Sequence, residues 1–133
     1  MAHAIDGYSG PCKNIHGHSY ELHVSITTEN STDDYVSSPG FIFDFKELKK
    51  IVVSSVIEKL DHKLVLSRTF IEKNAALSSQ ENLVVWYAEP TAENLLIYIR
   101  NSIEGNLPVG VMLSALKLYE TEDSYAEWIN RKM

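Results

Sequence analysis

Histidine stands at positions 16 and 18, separated by one glycine, just ahead of a run that alternates polar and apolar residues. In extended backbone a period of two puts both imidazoles on one face, so His16 and His18 can share one metal ion. Gly17 adds no side chain to the opposite face and permits close approach. Zinc accepts imidazole nitrogen and, in catalytic sites, keeps one position open beside three protein ligands. His3 is the upstream candidate for the third, near enough for a loop to fold back. The competing readings are a solvated histidine near a chain end for His3 and a polar strand end for His16-Gly17-His18. His23 falls on the other face and reads as surface.

Cys12, the single cysteine, precedes His16 by four residues, so its sulfur is expected within reach of the metal and of whatever the metal binds. Positive charge there favours the thiolate, which can abstract a proton. A lone thiol is otherwise a small buried residue; it excludes an internal disulfide and suits a reducing compartment. Asp61-His62 pairs a carboxylate with an imidazole, a proton relay in which the acid orients or charges the base; polar residues at a helix end would look the same. Glu120 ends an apolar strand, where a carboxylate can accept two parallel N–H bonds from a guanidine-like heterocycle edge such as a pterin presents. Thr91 and Glu93 read first as a helix start, a capping hydroxyl followed by an early acid.

These residues need elements to hold them. From Ser19 to Thr28, Tyr20, Leu22, Val24 and Ile26 share one face, which predicts a half-buried strand. Pro39-Gly40 predicts a turn into a second strand, Phe41-Ile42-Phe43, antiparallel to the first. Asp44 is placed to cap a helix, with Glu47 as the return half of a capping box. Leu48, Ile51, Val52, Val56 and Leu60 make its buried stripe, ending near Asp61. Leu83 to Tyr87 is too short and too β-branched or aromatic for a helix. Thr91 caps a second helix buried through Leu95, Leu96, Ile99 and Ile103 and closed by Gly105. The tail returns to alternation, Val111, Leu113 and Ala115 against Met112, Leu116 and Leu118, with a last strand from Tyr125 to Ile129. The class is α+β, an antiparallel sheet with two helices on one face.

The 133 residues, 44% hydrophobic and 23% charged, fit one domain covering 1–133, with no repeat, linker or low-complexity tract. A net charge of −6 with scattered basic residues argues against nucleic acid as a partner. No segment reaches the length of a membrane span, and Met1 to Gly10 lacks the regions of a signal peptide, so a cytoplasmic protein with no membrane partner is expected.

Taken in order, His3, Cys-x-x-x-His-Gly-His-Ser-Tyr from Cys12 to Tyr20, Asp44-Phe45, Leu60-Asp61-His62, Pro90-Thr91-x-Glu93-Asn94 and Glu120-Thr121 form a pattern that resembles the 6-pyruvoyl/6-carboxytetrahydropterin synthase family. The resemblance implies a tunnelling fold, with a four-stranded antiparallel sheet and two helices per subunit. It also implies ring-shaped trimers that pair as hexamers, with active sites between subunits. His3, His16 and His18 would bind zinc, Cys12 would be the proton-abstracting thiolate, Asp61 and His62 the relay, and Glu120 the pterin anchor, with Thr91 and Glu93 beside it in the substrate site. The implied substrate is 7,8-dihydroneopterin triphosphate. The spacing of Cys12 looks more like the carboxytetrahydropterin synthases of queuosine biosynthesis, which release acetaldehyde and triphosphate, than the pyruvoyl enzymes, which release triphosphate only.

Two departures stand out. Family members carry a complete strand before the first zinc histidine, whereas only Met1 and Ala2 precede His3, so either a truncated start or a sheet one strand short is expected, with a loosely held third ligand. The segment from Lys63 to Asn82 reads as a long loop. Beside the enzyme stand a non-catalytic relative that binds zinc or a pterin, a zinc hydrolase unrelated to pterins, and an assembly module with incidental histidines.

Overall fold

A computed structural model describes residues 1–132. The architecture is α+β, built on a three-stranded antiparallel sheet of order β3-β6-β7, from β3 (Glu21–Thr28), β6 (Val111–Tyr119) and β7 (Tyr125–Ile129). On one face lie two helical runs. The first is α1 (Phe45–Val52), continued by a π-helical turn (Val53–Ile57) into α2 (Glu58–Leu60). Asp44 caps it as expected, accepting the Lys46 N–H at 2.8 Å, but the return half of the capping box does not form, because Glu47 pairs with Lys50 instead.

The second run, α4 (Ala92–Glu104), is capped by Thr91, whose hydroxyl accepts the Asn94 N–H at 3.2 Å. Its buried side is Leu95, Leu96, Ile99 and Ile103, the stripe read from helical spacing, and it closes with Val56, Leu60, Leu113, Leu116 and Leu118 into the main core. Burial of such side chains contributes about 1.5–3 kcal/mol each, which makes this interface the main source of stability.

A second, smaller sheet has the order β2-β1-β4-β5, from β1 (Ala2–His3), β2 (His16–Gly17), β4 (Leu64–Ser67) and β5 (Leu83–Trp86). β1 is antiparallel to β2 and parallel to β4, and β4 is parallel to β5. Four residues of β4 are buried in succession: Val65 faces the main core, while Leu64 and Leu66 join Ala4 in a second apolar cluster. A strand covered on both faces reads as a continuous apolar run.

Three expectations are corrected here. The turn at Pro39-Gly40 forms, with Gly40 N–H donating to the Ser37 carbonyl at 2.8 Å and φ of 89°. Phe41-Ile42-Phe43 does not become a strand: it pairs with no strand among the described residues, and Phe41 and Ile42 are exposed. The outer edge of β3 is therefore unpaired among the described residues, and the antiparallel sheet has three strands, one fewer than the four the resemblance implies.

The segment from Lys63 to Asn82 is not a loop. It holds β4, then α3 (Arg68–Lys73), which Ser67 caps by accepting the Phe70 N–H, and a 3-10 turn (Ala75–Ser79). Finally, Leu113 lies in the same core as Leu116 and Leu118, where strict alternation put it opposite. The register explains this. Ser25 pairs with Ala115 and Ile26 with Leu113, so Ser114 is an extra residue that returns Leu113 to the inner face.

Candidate metal centre and substrate cavity

β1 and β2 place His3 directly opposite His16, and His18 follows at a period of two. The three rings stand 4.6, 4.9 and 5.2 Å apart between centroids, and one nitrogen from each lies within 4.8 Å of the others. His3, expected to be loosely held, is only 2% exposed. Its strand is sandwiched between β2 and β4, and its Nδ1–H donates to the Pro90 carbonyl at 2.6 Å. Gly17 is not demanded by crowding: an added β-carbon would meet Met1 and Ala2 at 3.6–3.9 Å, ordinary contact.

The hydrogen bonds settle the tautomers. A carbonyl only accepts, so His3 Nδ1 and His16 Nδ1, the latter 2.7 Å from the Asn14 carbonyl, both carry hydrogen. When the rings are neutral, each Nε2 presents a lone pair, and the two Nε2 atoms face each other at 3.1 Å. Burial, the largest influence, lowers the His3 pKa below its ordinary value despite the Pro90 bond, which disfavours a bridging proton there. Two nitrogens at 2.0–2.1 Å from a tetrahedral zinc are about 3.3–3.4 Å apart, so the pair is close to ligand spacing with its outer nitrogens already oriented by carbonyls. The donor set fits a metal ion of the zinc type.

Cys12 sits on a 3-10 turn (Pro11–Lys13). It lines a cavity of about 420 Å³ together with His3, Thr91, Glu93 and Glu120. The structure thus brings the thiol, one metal-site histidine and the three expected substrate-binding residues to one place. Asp61 and His62 are not among them. They make the expected pair, Nδ1 to Oδ2 at 3.1 Å, but with side chains 60% and 92% exposed, at a separate cavity of about 590 Å³ that His18 and Tyr20 also line. His62 has φ of 59°, the single positive value among the described non-glycine residues. It occupies the third position of a turn closed by Lys63 N–H to the Leu60 carbonyl at 3.1 Å, where glycine is usual.

Two contributors escaped the sequence reading. Tyr20 was placed on the histidine face as a core residue, yet its ring lies 5.5 Å from His18 and its hydroxyl 3.5 Å from His3 Nδ1. Burial and the negative charge of Glu120 raise its pKa, keeping the phenol protonated. Glu89, two residues ahead of the Thr91 cap, carries a carboxylate that accepts the Asp6 N–H at 2.6 Å, a contact across 83 residues that no local pattern signals. His23 is on the far face, paired with Glu21 at 2.7 Å and exposed, as expected.

The 6-carboxy-5,6,7,8-tetrahydropterin synthase of Rickettsia felis is 33% identical over 129 residues, covering 94% of this chain and 90% of that protein. The enzyme of the same name from Haemophilus influenzae is 32% identical, covering 96% and 91%. A solved 6-pyruvoyltetrahydropterin synthase of Plasmodium vivax shares the fold, with a TM-score of 0.68 at 19% identity over 96% of this chain and 87% of that one. The sequence profile described as 6-pyruvoyl tetrahydropterin synthase matches residues 1–130, and this chain belongs to that family.

Proposed function

We propose that the protein is a zinc-dependent lyase that converts 7,8-dihydroneopterin triphosphate and one water to 6-carboxy-5,6,7,8-tetrahydropterin, acetaldehyde and triphosphate, a step of queuosine biosynthesis. The observation that carries the reading is the contiguity of the three-histidine cluster with the cavity holding Cys12, Thr91, Glu93 and Glu120. The names of the relatives at 33% and 32% identity support the carboxy branch.

Zinc on His3, His16 and His18 would supply a Lewis acid that polarises the hydroxyls of the substrate side chain. Glu120 accepts paired N–H bonds from the pterin edge and fixes the ring, with Thr91 and Glu93 lining the same cavity. Cys12, as thiolate, takes the proton from the carbon next to a polarised hydroxyl. Tyr20 stays protonated beside His3. Asp61 and His62 move protons from the opposite side. Because they lie at a different cavity of their own chain, we assign them to the site of a neighbouring subunit. The outer edges of β3 and β7, unpaired among the described residues, suit a ring of subunits, trimeric or hexameric. A cytoplasmic location accords with this reading, and among the described residues no helix is long and apolar enough to cross a membrane.

The test is product analysis of the zinc-loaded protein with 7,8-dihydroneopterin triphosphate. Acetaldehyde with 6-carboxytetrahydropterin is expected; 6-pyruvoyltetrahydropterin would move the protein to the other branch. No reaction despite bound zinc would refute the enzymatic reading. Cys12→Ala should abolish turnover with zinc content unchanged.

A further inference from the structure

The turn that precedes α4 holds two parts of the site at once. The Pro90 carbonyl accepts the His3 Nδ1–H at 2.6 Å. One residue earlier, the Glu89 carboxylate accepts the Asp6 backbone N–H, also at 2.6 Å. Bonds from an N–H to an ionised carboxylate are shorter and stronger than neutral ones. Asp6 is where the chain leaves β1 for the excursion that carries Cys12, and that excursion closes on itself through Ile5 N–H to the Cys12 carbonyl at 2.8 Å. Glu89 in turn is fixed through its own carbonyl, which accepts Thr91 N–H and the Asn94 side-chain amide, each at 2.9 Å.

We propose that Glu89 is a positioning residue for Cys12: with Pro90, it sets where the thiol stands relative to the metal-site histidine His3. The proposal rests on the reading of Cys12 as the base. Glu89 itself touches neither substrate nor metal in this scheme. The Asp6 side chain also pairs with Lys73 at 3.1 Å, but the lysine is 63% exposed, and such pairs hold a loop weakly. The backbone bond to Glu89 is therefore the stronger of the two anchors at Asp6, beside the Ile5–Cys12 bond that closes the loop. Glutamine keeps an acceptor oxygen at the same reach, whereas alanine has none and aspartate is one methylene short.

The experiment compares zinc-loaded wild type with Glu89→Ala and Glu89→Gln by hydrogen exchange at the Asp6 amide, Cys12 alkylation by iodoacetamide, zinc content and turnover. In Glu89→Ala, Asp6 exchange should be about tenfold faster, from loss of one charge-assisted bond. Alkylation should be several-fold altered. With the thiol misplaced by an ångström or so, kcat should fall about tenfold to a hundredfold at near-constant KM. Zinc content should not change, and Glu89→Gln, which keeps the acceptor without its charge, should bring exchange, alkylation and turnover most of the way back. Glu89→Asp substitutes for the alanine variant if that variant does not fold. Wild-type exchange and alkylation in the alanine or aspartate variant, or a glutamine variant as impaired as alanine, would overturn the proposal. If the wild type turns over no pterin, the reaction fails as a reading, while exchange and alkylation still decide whether Glu89 holds the Cys12 loop.

Discussion

Replacing His62 by glycine should make the protein more stable and less active at once. His62 has φ of 59° in a turn where Asp61, at φ −64° and ψ 132°, precedes it, the arrangement that favours glycine in the third position. A residue bearing a β-carbon loses about 1–2 kcal/mol in left-handed backbone, and glycine loses about 0.4–1 kcal/mol through the greater freedom of its unfolded chain. The side chain is 92% exposed and pairs with a carboxylate that is itself 60% exposed, so its removal forfeits almost no packing and little electrostatic energy. The net expectation is a gain of about 0.5–1 kcal/mol, or about 2–4 °C in Tm for a domain of this size. Alanine keeps the β-carbon, so His62→Ala should match wild type in stability, and both variants should lose turnover equally if the imidazole moves protons. Urea and thermal unfolding of the three proteins, beside steady-state kinetics, make the measurement. A glycine variant less stable than alanine would refute the strain argument, and full activity in either variant would refute the relay.

Metal binding to the folded state alone should stabilise the protein by about 2.7 kcal/mol at a hundredfold excess over Kd, roughly 8–13 °C in Tm; His18→Ala should abolish the shift in a zinc titration followed by thermal unfolding. In the metal-free protein, burial holds the His3 pKa below 6.5, so between the two values the unfolded chain binds a proton that the folded chain does not. That stabilising contribution is complete above pH 6.5 and is lost as pH falls through the lowered value; urea midpoints measured across this range should show the loss, and His3→Gln should flatten it. Glu120→Gln exchanges one acceptor oxygen for an amide donor facing the heterocycle's N–H edge, so pterin affinity should fall about tenfold or more, read as KM or by calorimetry.

What was legible in the sequence was local. Asp44 and Thr91 announce helix starts because a cap is satisfied within three residues, and Leu95, Leu96, Ile99 and Ile103 announce a buried face because helical period depends on no distant partner. The alternation from Tyr20 to Ile26 is of the same kind. Ala2–His3 carries no such signal: two residues become a strand only because partners lie on both sides, and that same enclosure makes a histidine near the chain end the least exposed of the three in the cluster. Phe41-Ile42-Phe43 fails for the converse reason, strand-forming residues with no strand paired to them among the described residues. Ser114 is invisible as a bulge until β3 fixes the register.

The candidate site divides along the same line. His16 and His18 share a face by period alone, but the approach of His3 to His16 is a cross-strand pair, produced by the β1–β2 ladder and maintained by β4 on the other side. The metal centre therefore depends on the small mixed sheet, and through it on the cluster of Ala4, Leu64 and Leu66, rather than on the larger antiparallel sheet that dominates the core. The substrate cavity draws instead on α4, whose first turn supplies Thr91 and Glu93, and on the end of β6, which supplies Glu120. Glu89 and Pro90 lie where these two halves meet, bonded on one side to Asp6 and His3 and continuing on the other into α4. Motif order could name the residues, but only the meeting of the two sheets explains why they face one another.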